Sequence, residues 1–137
     1  MSARSSIAAR LMETWSHSQA LYDVLGQVRV DGDRIRAIAH LGAITYGWTF
    51  ANRSAKPPGP APSGALCEWN TESAPEGEVL TGPATDFCQV VAQTRNIADV
   101  GLCVTGKAAT AWMNQAQRFA GPPNDPPPPG SRHTQDR

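Results

Sequence analysis

Proline placement constrains this 137-residue chain more than any other feature of its sequence. Four prolines fall within residues 53–64 and six within residues 122–129. Proline lacks the backbone N–H that a helix interior or a central strand requires, so neither stretch can continue regular structure. The sequence therefore predicts a folded segment at 1–52, a linker at 53–64, a second folded segment at 65–121 and a disordered, proline-rich tail at 122–137.

The first folded segment has the spacing of a helical hairpin. Between residues 4 and 25, apolar side chains recur every three or four positions, which is typical of a helix. We expect one core-facing stripe and a second, adjacent stripe, so this helix should be apolar around most of its circumference and need neighbours on several sides. The first stripe is Ile7, Leu11, Trp15, Ser18, Tyr22 and Leu25, and the second is Glu13, His17, Ala20, Leu21 and Val24.

A second helix is predicted to follow closely. Asp31, Gly32 and Asp33 favour a helix N-cap, and the apolar pattern after them ends near Asn52. With a connection of about five residues, the two helices would form an antiparallel pair.

The second folded segment mixes short strands with helices. Strands are predicted at 65–70, 78–81 and 102–105, one helix begins at Pro83, and another covers 107–119. The predicted fold class is α+β: a helical hairpin followed by a small α/β domain with short strands and two helices.

Charge and composition exclude several classes of protein. Twelve basic residues balance twelve acidic ones, and no cluster of Lys and Arg is present to bind a phosphate backbone or an anionic membrane. No apolar run reaches membrane-spanning length, and the first ten residues lack the apolar core of a signal peptide. We therefore expect a cytoplasmic protein with neither a nucleic acid nor a membrane as partner.

Cysteine spacing and one glycine motif carry no strong functional signal. The three cysteines form no Cys-x-x-Cys pair, so neither a disulfide framework nor a thiolate metal site is predicted. Residues 101–108 resemble a phosphate-binding loop, but Ala108 replaces the hydroxyl that would hold Mg²⁺. A buried strand over Leu102 to Val104 is the better interpretation.

The sharpest candidate for chemistry is the pair Glu13 and His17. Residues four apart on a helix face the same way, so a carboxylate oxygen and an imidazole nitrogen can reach one metal ion. The same spacing also suits an ordinary hydrogen-bonded pair. Of the other histidines, His133 lies in the tail, and His40 is interpreted as a hydrogen-bonding residue on the surface of the second helix.

Several motifs resemble the DinB-like superfamily that includes the mycothiol-dependent maleylpyruvate isomerases. The similarity extends to Pro123, and it points to an actinobacterial branch whose members are labelled as metal-binding proteins or as proteins with a wyosine-base-formation-like domain. The matching stretches are ARLMETWSHSQ at 9–19, DVLG at 23–26, IAHLG at 38–42, LTGPATDFC at 80–88 and WMNQAQRFAGPP at 112–123.

The resemblance implies a metal-dependent, thiol-dependent function. In this family a four-helix bundle binds a divalent metal, typically zinc, through an earlier histidine and a Glu-x-x-x-His pair, which Glu13 and His17 match. The metal would activate mycothiol or water by lowering its pKa. An arginine of the C-terminal domain, matched here by Arg95, would hold a carboxylate of a small-molecule substrate that the sequence does not identify.

The chain also departs from the family pattern. It starts within the bundle, so the hairpin resembles the remnant of a four-helix bundle without the first metal histidine. We expect a truncated or mis-started copy with an incomplete metal site. Two alternatives stay open: a non-catalytic interaction module that forms a homodimer through its first two helices, and a protein related to wyosine-base formation in tRNA modification, which the neutral charge disfavours.

Overall fold

A computed structural model describes residues 2–66 and 77–135, and its fold is α+β as the sequence predicts. A helical hairpin is followed by a small α/β part. In chain order the elements are α1 (Ala3–Val24), α2 (Ile35–Ile44), α3 (Tyr46–Asn52), β1 (Ser63–Leu66), β2 (Val79–Gly82), α4 (Ala84–Val91), a 3-10 turn (Ile97–Asp99), β3 (Cys103–Thr105) and α5 (Lys107–Met113).

The three strands form one mixed sheet with β2 in the centre. β1 pairs with β2 in parallel, with Ser63 opposite Val79, and β3 pairs with β2 antiparallel, with Thr105 opposite Val79. Most of the strand predicted at 65–70 lies outside the described residues. The other two strands lie within one residue of their predicted positions.

The core forms around α4, which packs against α2. Phe87, Val91 and Ile38 are fully buried there, and the indole of Trp112 makes edge-on contact with the Phe87 ring at a centroid distance of 5.6 Å. Gly42 lets α2 approach α4 closely, because a Cβ at this position would lie only 2.9 Å from side-chain atoms of Phe87 and Val91.

The second predicted helix is divided in the structure. It runs as α2 and α3, separated at Thr45, whose hydroxyl donates a 2.6 Å hydrogen bond to the carbonyl of Gly42. A threonine hydroxyl that bonds to a backbone carbonyl one turn earlier competes with the backbone hydrogen bonds of a continuous helix. The expected N-cap also differs, because α2 begins at Ile35 and Arg34 caps it without a side-chain hydrogen bond.

Asp31 organises the connection between α1 and α2, which is longer than expected and spans residues 25–34. Its carboxylate accepts hydrogen bonds from the indole N–H of Trp15 at 2.8 Å and from the hydroxyl of Thr85, also at 2.8 Å. Arg29 pairs with the same carboxylate at 3.2 Å and stacks on the Trp15 ring. The aspartate therefore joins α1 to α4 instead of capping α2.

The inward face of α1 is rotated from the predicted stripe. Met12, Trp15 and Gln19 are buried, whereas Ile7 is 69% exposed and Leu25 is 53% exposed. A helix with apolar residues around most of its circumference has more than one face that could pack. Within the described residues, no helix is long and apolar enough to cross a membrane.

The C-terminal part of the chain is more closely attached than expected. α5 ends at Met113 instead of residue 119, and five residues later the backbone N–H of Arg118 donates to the Val91 carbonyl at the end of α4. The segment 122–135, for which the prolines predict a disordered tail, is hydrogen-bonded to the rest of the chain. Its hydrogen bonds include those of Asn124 with Gln93 at 2.6 Å and of the Pro127 carbonyl with Asn96 at 2.9 Å.

Candidate functional site

A cavity of about 680 Å³ lies beside α1 and is the candidate ligand site. One wall is a face of α1, another is the turn after α4 together with Phe119, and a third is the C-terminal segment. The lining residues are Met12, Glu13, Ser16, His17, Gln19, Ala20, Asp23, Val24, Ala92, Thr94, Phe119, Ser131, Arg132, His133 and Gln135.

Helix α1 presents Glu13 and His17 to this cavity one turn apart. Both residues are exposed, and in the described part of the chain neither side chain forms a hydrogen bond or an ion pair. The ordinary interpretation of the Glu-x-x-x-His spacing, a pair bonded to each other, is therefore not what the structure shows. Their donor atoms are available to a ligand.

Arg118 adds positive charge next to Glu13. Burial lowers the pKa of its guanidinium, while the negative charge of Glu13 acts in the opposite direction. The group stays protonated at physiological pH. Its Nη1 atom and the hydroxyl of Ser16 are buried without a hydrogen-bond partner in the region that the structure describes.

On the cavity wall, Asp23 and Gln19 belong to a polar network that ties α1 to α4. The Gln19 amide donates to Asp23 at 3.1 Å and accepts from Gln89 at 3.2 Å. Arg95 donates to both carboxylate oxygens of Asp23, with the Nη1–Oδ2 bond at 2.8 Å. Partial burial acts to raise the pKa of Asp23, but the bonds from Arg95 and Gln19 outweigh it, so the pKa lies below its ordinary value.

The structure thus gives Arg95 an internal partner. The residue is only 7% exposed, and its guanidinium is held by Asp23 and by the Thr94 carbonyl. A substrate carboxylate, the partner that the family resemblance implies for Arg95, would have to displace Asp23. The structure does not place Arg95 on the wall of the cavity.

The described residues supply fewer metal ligands than a complete site needs. Catalytic zinc sites usually have three protein ligands. Across residues 2–66 and 77–135, no group of three or more His, Cys, Asp or Glu side chains is close enough together to hold a metal ion. Glu13 and His17 lie together on the cavity wall, and His40 on α2 is not among the residues that line the cavity.

Sequence reasoning missed the contribution of the C-terminal segment. His133 and Arg132 line the same cavity as Glu13 and His17, although they are more than 110 positions away in the chain. Their local sequence carries no signal of this, because proline-rich polar stretches are typical of solvated tails. The side chains that fix the segment, such as Asn96 and Gln93, could be assigned this role only from the folded structure.

The glycine motif at 101–108 is not a phosphate site. Residues 103–105 form β3, and Gly106 turns the chain into α5. The carboxylate of Glu78 already accepts the N–H groups of Ala108 at 3.1 Å and Ala109 at 2.8 Å, and these bonds lower the pKa of Glu78. An anion at this position would meet a negative charge.

Comparison with known proteins finds mycobacterial relatives. Uncharacterized protein Rv0036c of Mycobacterium tuberculosis strain ATCC 25618 / H37Rv and uncharacterized protein MT0041 of strain CDC 1551 / Oshkosh are each 39% identical to this chain over 130 residues. The alignment covers 90% of this chain and 50% of each relative, so the chain spans about half the length of the proteins it matches. No family model matches the chain, and no solved structure matches it.

Proposed function

We propose that this protein binds a divalent metal ion, with zinc as first choice, in the cavity beside α1, and that Glu13 and His17 are two of the ligands. The observation that supports this most is their joint position on the cavity wall with side chains that bond to no other described residue. Carboxylate oxygen and imidazole nitrogen are both common zinc ligands.

The chemistry that we propose for this site is thiol-dependent transfer or isomerisation, as the resemblance to the DinB-like superfamily implies. A bound zinc ion would lower the pKa of a coordinated water molecule or of a thiol such as mycothiol. Met12, Ala20 and Phe119 give the cavity apolar walls, which would exclude water from a bound thiol and small-molecule substrate.

Arg132 is the better candidate for contacting an anionic group of the substrate. It lines the cavity and is exposed, and its guanidinium makes one long hydrogen bond, 3.3 Å, to the Gln93 carbonyl. Arg95, in contrast, is engaged by Asp23. We therefore transfer the carboxylate-binding role that the resemblance implies for Arg95 to Arg132.

The first experiment is metal analysis of the purified protein by mass spectrometry. We expect close to one zinc per chain in the wild type, and loss of the metal in Glu13→Ala and His17→Ala. The control is His40→Ala, which removes another exposed histidine of the hairpin and should keep the metal. Absence of zinc from the wild type after incubation with excess zinc, or its retention in a variant lacking both ligands, would contradict the proposal.

A second candidate function is self-association through the hairpin. The observation that favours it is a series of large apolar side chains exposed on α1, of which Leu21 is 66% exposed and Ile7 is 69% exposed. Exposed apolar surface of this kind often marks an interaction site. A homodimer formed through α1 and α2 could bring two Glu13–His17 pairs together, so this candidate is compatible with metal binding.

A further inference from the structure

Five apolar side chains from three parts of the chain line the cavity beside α1. Met12, Ala20 and Val24 belong to α1, Ala92 to the turn after α4, and Phe119 to the stretch after α5. The volume of about 680 Å³ lies within the range of about 300–1,000 Å³ that is typical of small-molecule sites. The cavity can therefore hold a ligand with an apolar body of moderate size.

Both acidic side chains on the cavity wall have a cation beside them that does not itself line the cavity. Asp23 is held by the guanidinium of Arg95, with the Nη1–Oδ2 bond at 2.8 Å. Glu13 interacts electrostatically with the guanidinium of Arg118. The negative charge of the wall is therefore balanced by residues outside the lining.

Arg132 carries the charge on this wall that is not balanced. Its exposed guanidinium makes one hydrogen bond, 3.3 Å long, to the Gln93 carbonyl, and within residues 2–66 and 77–135 it pairs with no acidic side chain. The two histidines of the wall, His17 and His133, are either neutral or positive. The uncompensated charge of this apolar cavity is therefore positive.

We propose that the cavity binds a small molecule with an apolar body and one carboxylate, and that Arg132 selects for the carboxylate. The inference rests on the proposed function, in which Arg132 contacts an anionic group of the substrate, and it names the chemical class of that substrate. A planar guanidinium can donate two parallel hydrogen bonds to a carboxylate. The apolar body is removed from water against Met12, Ala20 and Phe119.

NMR titration of the full chain with octanoate tests this inference, with octanamide as a neutral ligand of the same length. A chelator in the buffer removes metal ions, so that binding is measured without any contribution from zinc. Octanoate should shift the amide signals of Ala20, Ala92 and Phe119. Octanamide should bind about tenfold more weakly, because it lacks the charge-assisted bonds to Arg132.

Substitutions separate the charge of Arg132 from the shape of the cavity. Arg132→Gln should abolish the preference for octanoate over octanamide, whereas Arg132→Lys keeps the charge and should keep part of the preference. Arg36→Gln removes an exposed arginine that does not line the cavity, and this control should bind like the wild type. Ala20→Phe should weaken the binding of both ligands, because the larger side chain occupies cavity volume.

The outcomes separate this inference from the proposed metal site. Failure of octanoate to bind, equal affinity for the two ligands, or a preference that survives Arg132→Gln would overturn the inference, whether or not the protein binds zinc. Signal changes confined to the exposed apolar residues of the hairpin would also overturn it. The expected preference in a protein that takes up no zinc would overturn the metal site and support the role of Arg132.

Discussion

At the scale of single residues, Asp23 joins three parts of the chain. Its carboxylate pairs with Arg95 and accepts from Gln19, while its backbone carbonyl accepts from Gln135. The residue therefore connects α1, the turn after α4 and the C-terminal segment, and it lines the candidate site.

Asp23→Asn should destabilise the fold by about 2–3 kcal/mol, because it leaves the Arg95 guanidinium partly buried without a counter-charge. The measurement is urea unfolding at pH 7. The exposed Asp33, changed to Asn, is the control and should have little effect. Equal stability of both variants and the wild type would show that the ion pair contributes nothing.

The pKa of Asp23 also predicts a pH dependence. Because the pKa is lower in the folded state than its ordinary value of 3.8, the stability that Asp23 contributes is present above that value. It should be lost as the pH falls through the lower, folded-state pKa. Urea unfolding from pH 6 to pH 2 should show that the wild type loses this contribution to its free energy of unfolding at low pH. Asp23→Asn should lack that loss.

The sequence predicts some residues of the site and not others, for a physical reason. Glu13 and His17 are found from helical periodicity alone, since both lie on one helix. His133 and Arg132 line the same cavity because the fold brings distant segments together, which no local pattern encodes. The partner of Arg95 was missed in the same way, because Asp23 is 72 positions away from it.

At the scale of elements, the close approach of α2 and α4 depends on Gly42. A Cβ there would be 2.9 Å from atoms of Phe87 and Val91, both fully buried, so Gly42→Ala should cost about 1–3 kcal/mol through overpacking. Gly47 in α3 is the matched control. Because a Cβ added at Gly47 would have nothing within 4 Å, Gly47→Ala should be neutral or stabilise by about 0.5–1 kcal/mol.

Thermal or urea unfolding of the two variants checks this difference. A Gly42→Ala protein as stable as the wild type would mean that α2 and α4 can separate at no cost. Loss of stability in Gly47→Ala would point to a contact on the outer face of α3.

Element types were easier to predict than element ends. The hairpin, two of the strands and the helix after Pro83 follow from apolar spacing and proline placement. The end of α2 does not, because it coincides with a specific hydrogen bond from the Thr45 hydroxyl to the Gly42 carbonyl. Such bonds depend on side-chain rotamers or on the neighbouring helix.

At the scale of the whole molecule, the hairpin leaves a large apolar surface in contact with water. The exposed side chains continue from the end of α1 into the connection to α2, where Val28 is 80% exposed and Val30 is 91% exposed. The sequence predicted this in outline, because a helix that is apolar on most of its circumference cannot bury every face in a small fold. Which face stays exposed depended on the tertiary packing.

This surface predicts concentration-dependent self-association. Sedimentation velocity should show a shift to larger species as protein concentration rises, and Leu21→Glu should reduce it, because a charge on that surface opposes apolar contact. Asn114→Glu adds the same charge at an exposed position just after α5, outside the hairpin, and is the control. A wild type that stays monomeric at all concentrations would argue against this surface as an interface.

We propose that the cavity beside α1 is a metal site built on Glu13 and His17, and anomalous diffraction tests this proposal most directly. Crystals of the zinc-loaded protein, measured on both sides of the zinc absorption edge, should show one strong peak within coordination distance of these two side chains. A zinc peak elsewhere on the molecule, with Glu13 and His17 free of metal, would contradict the account.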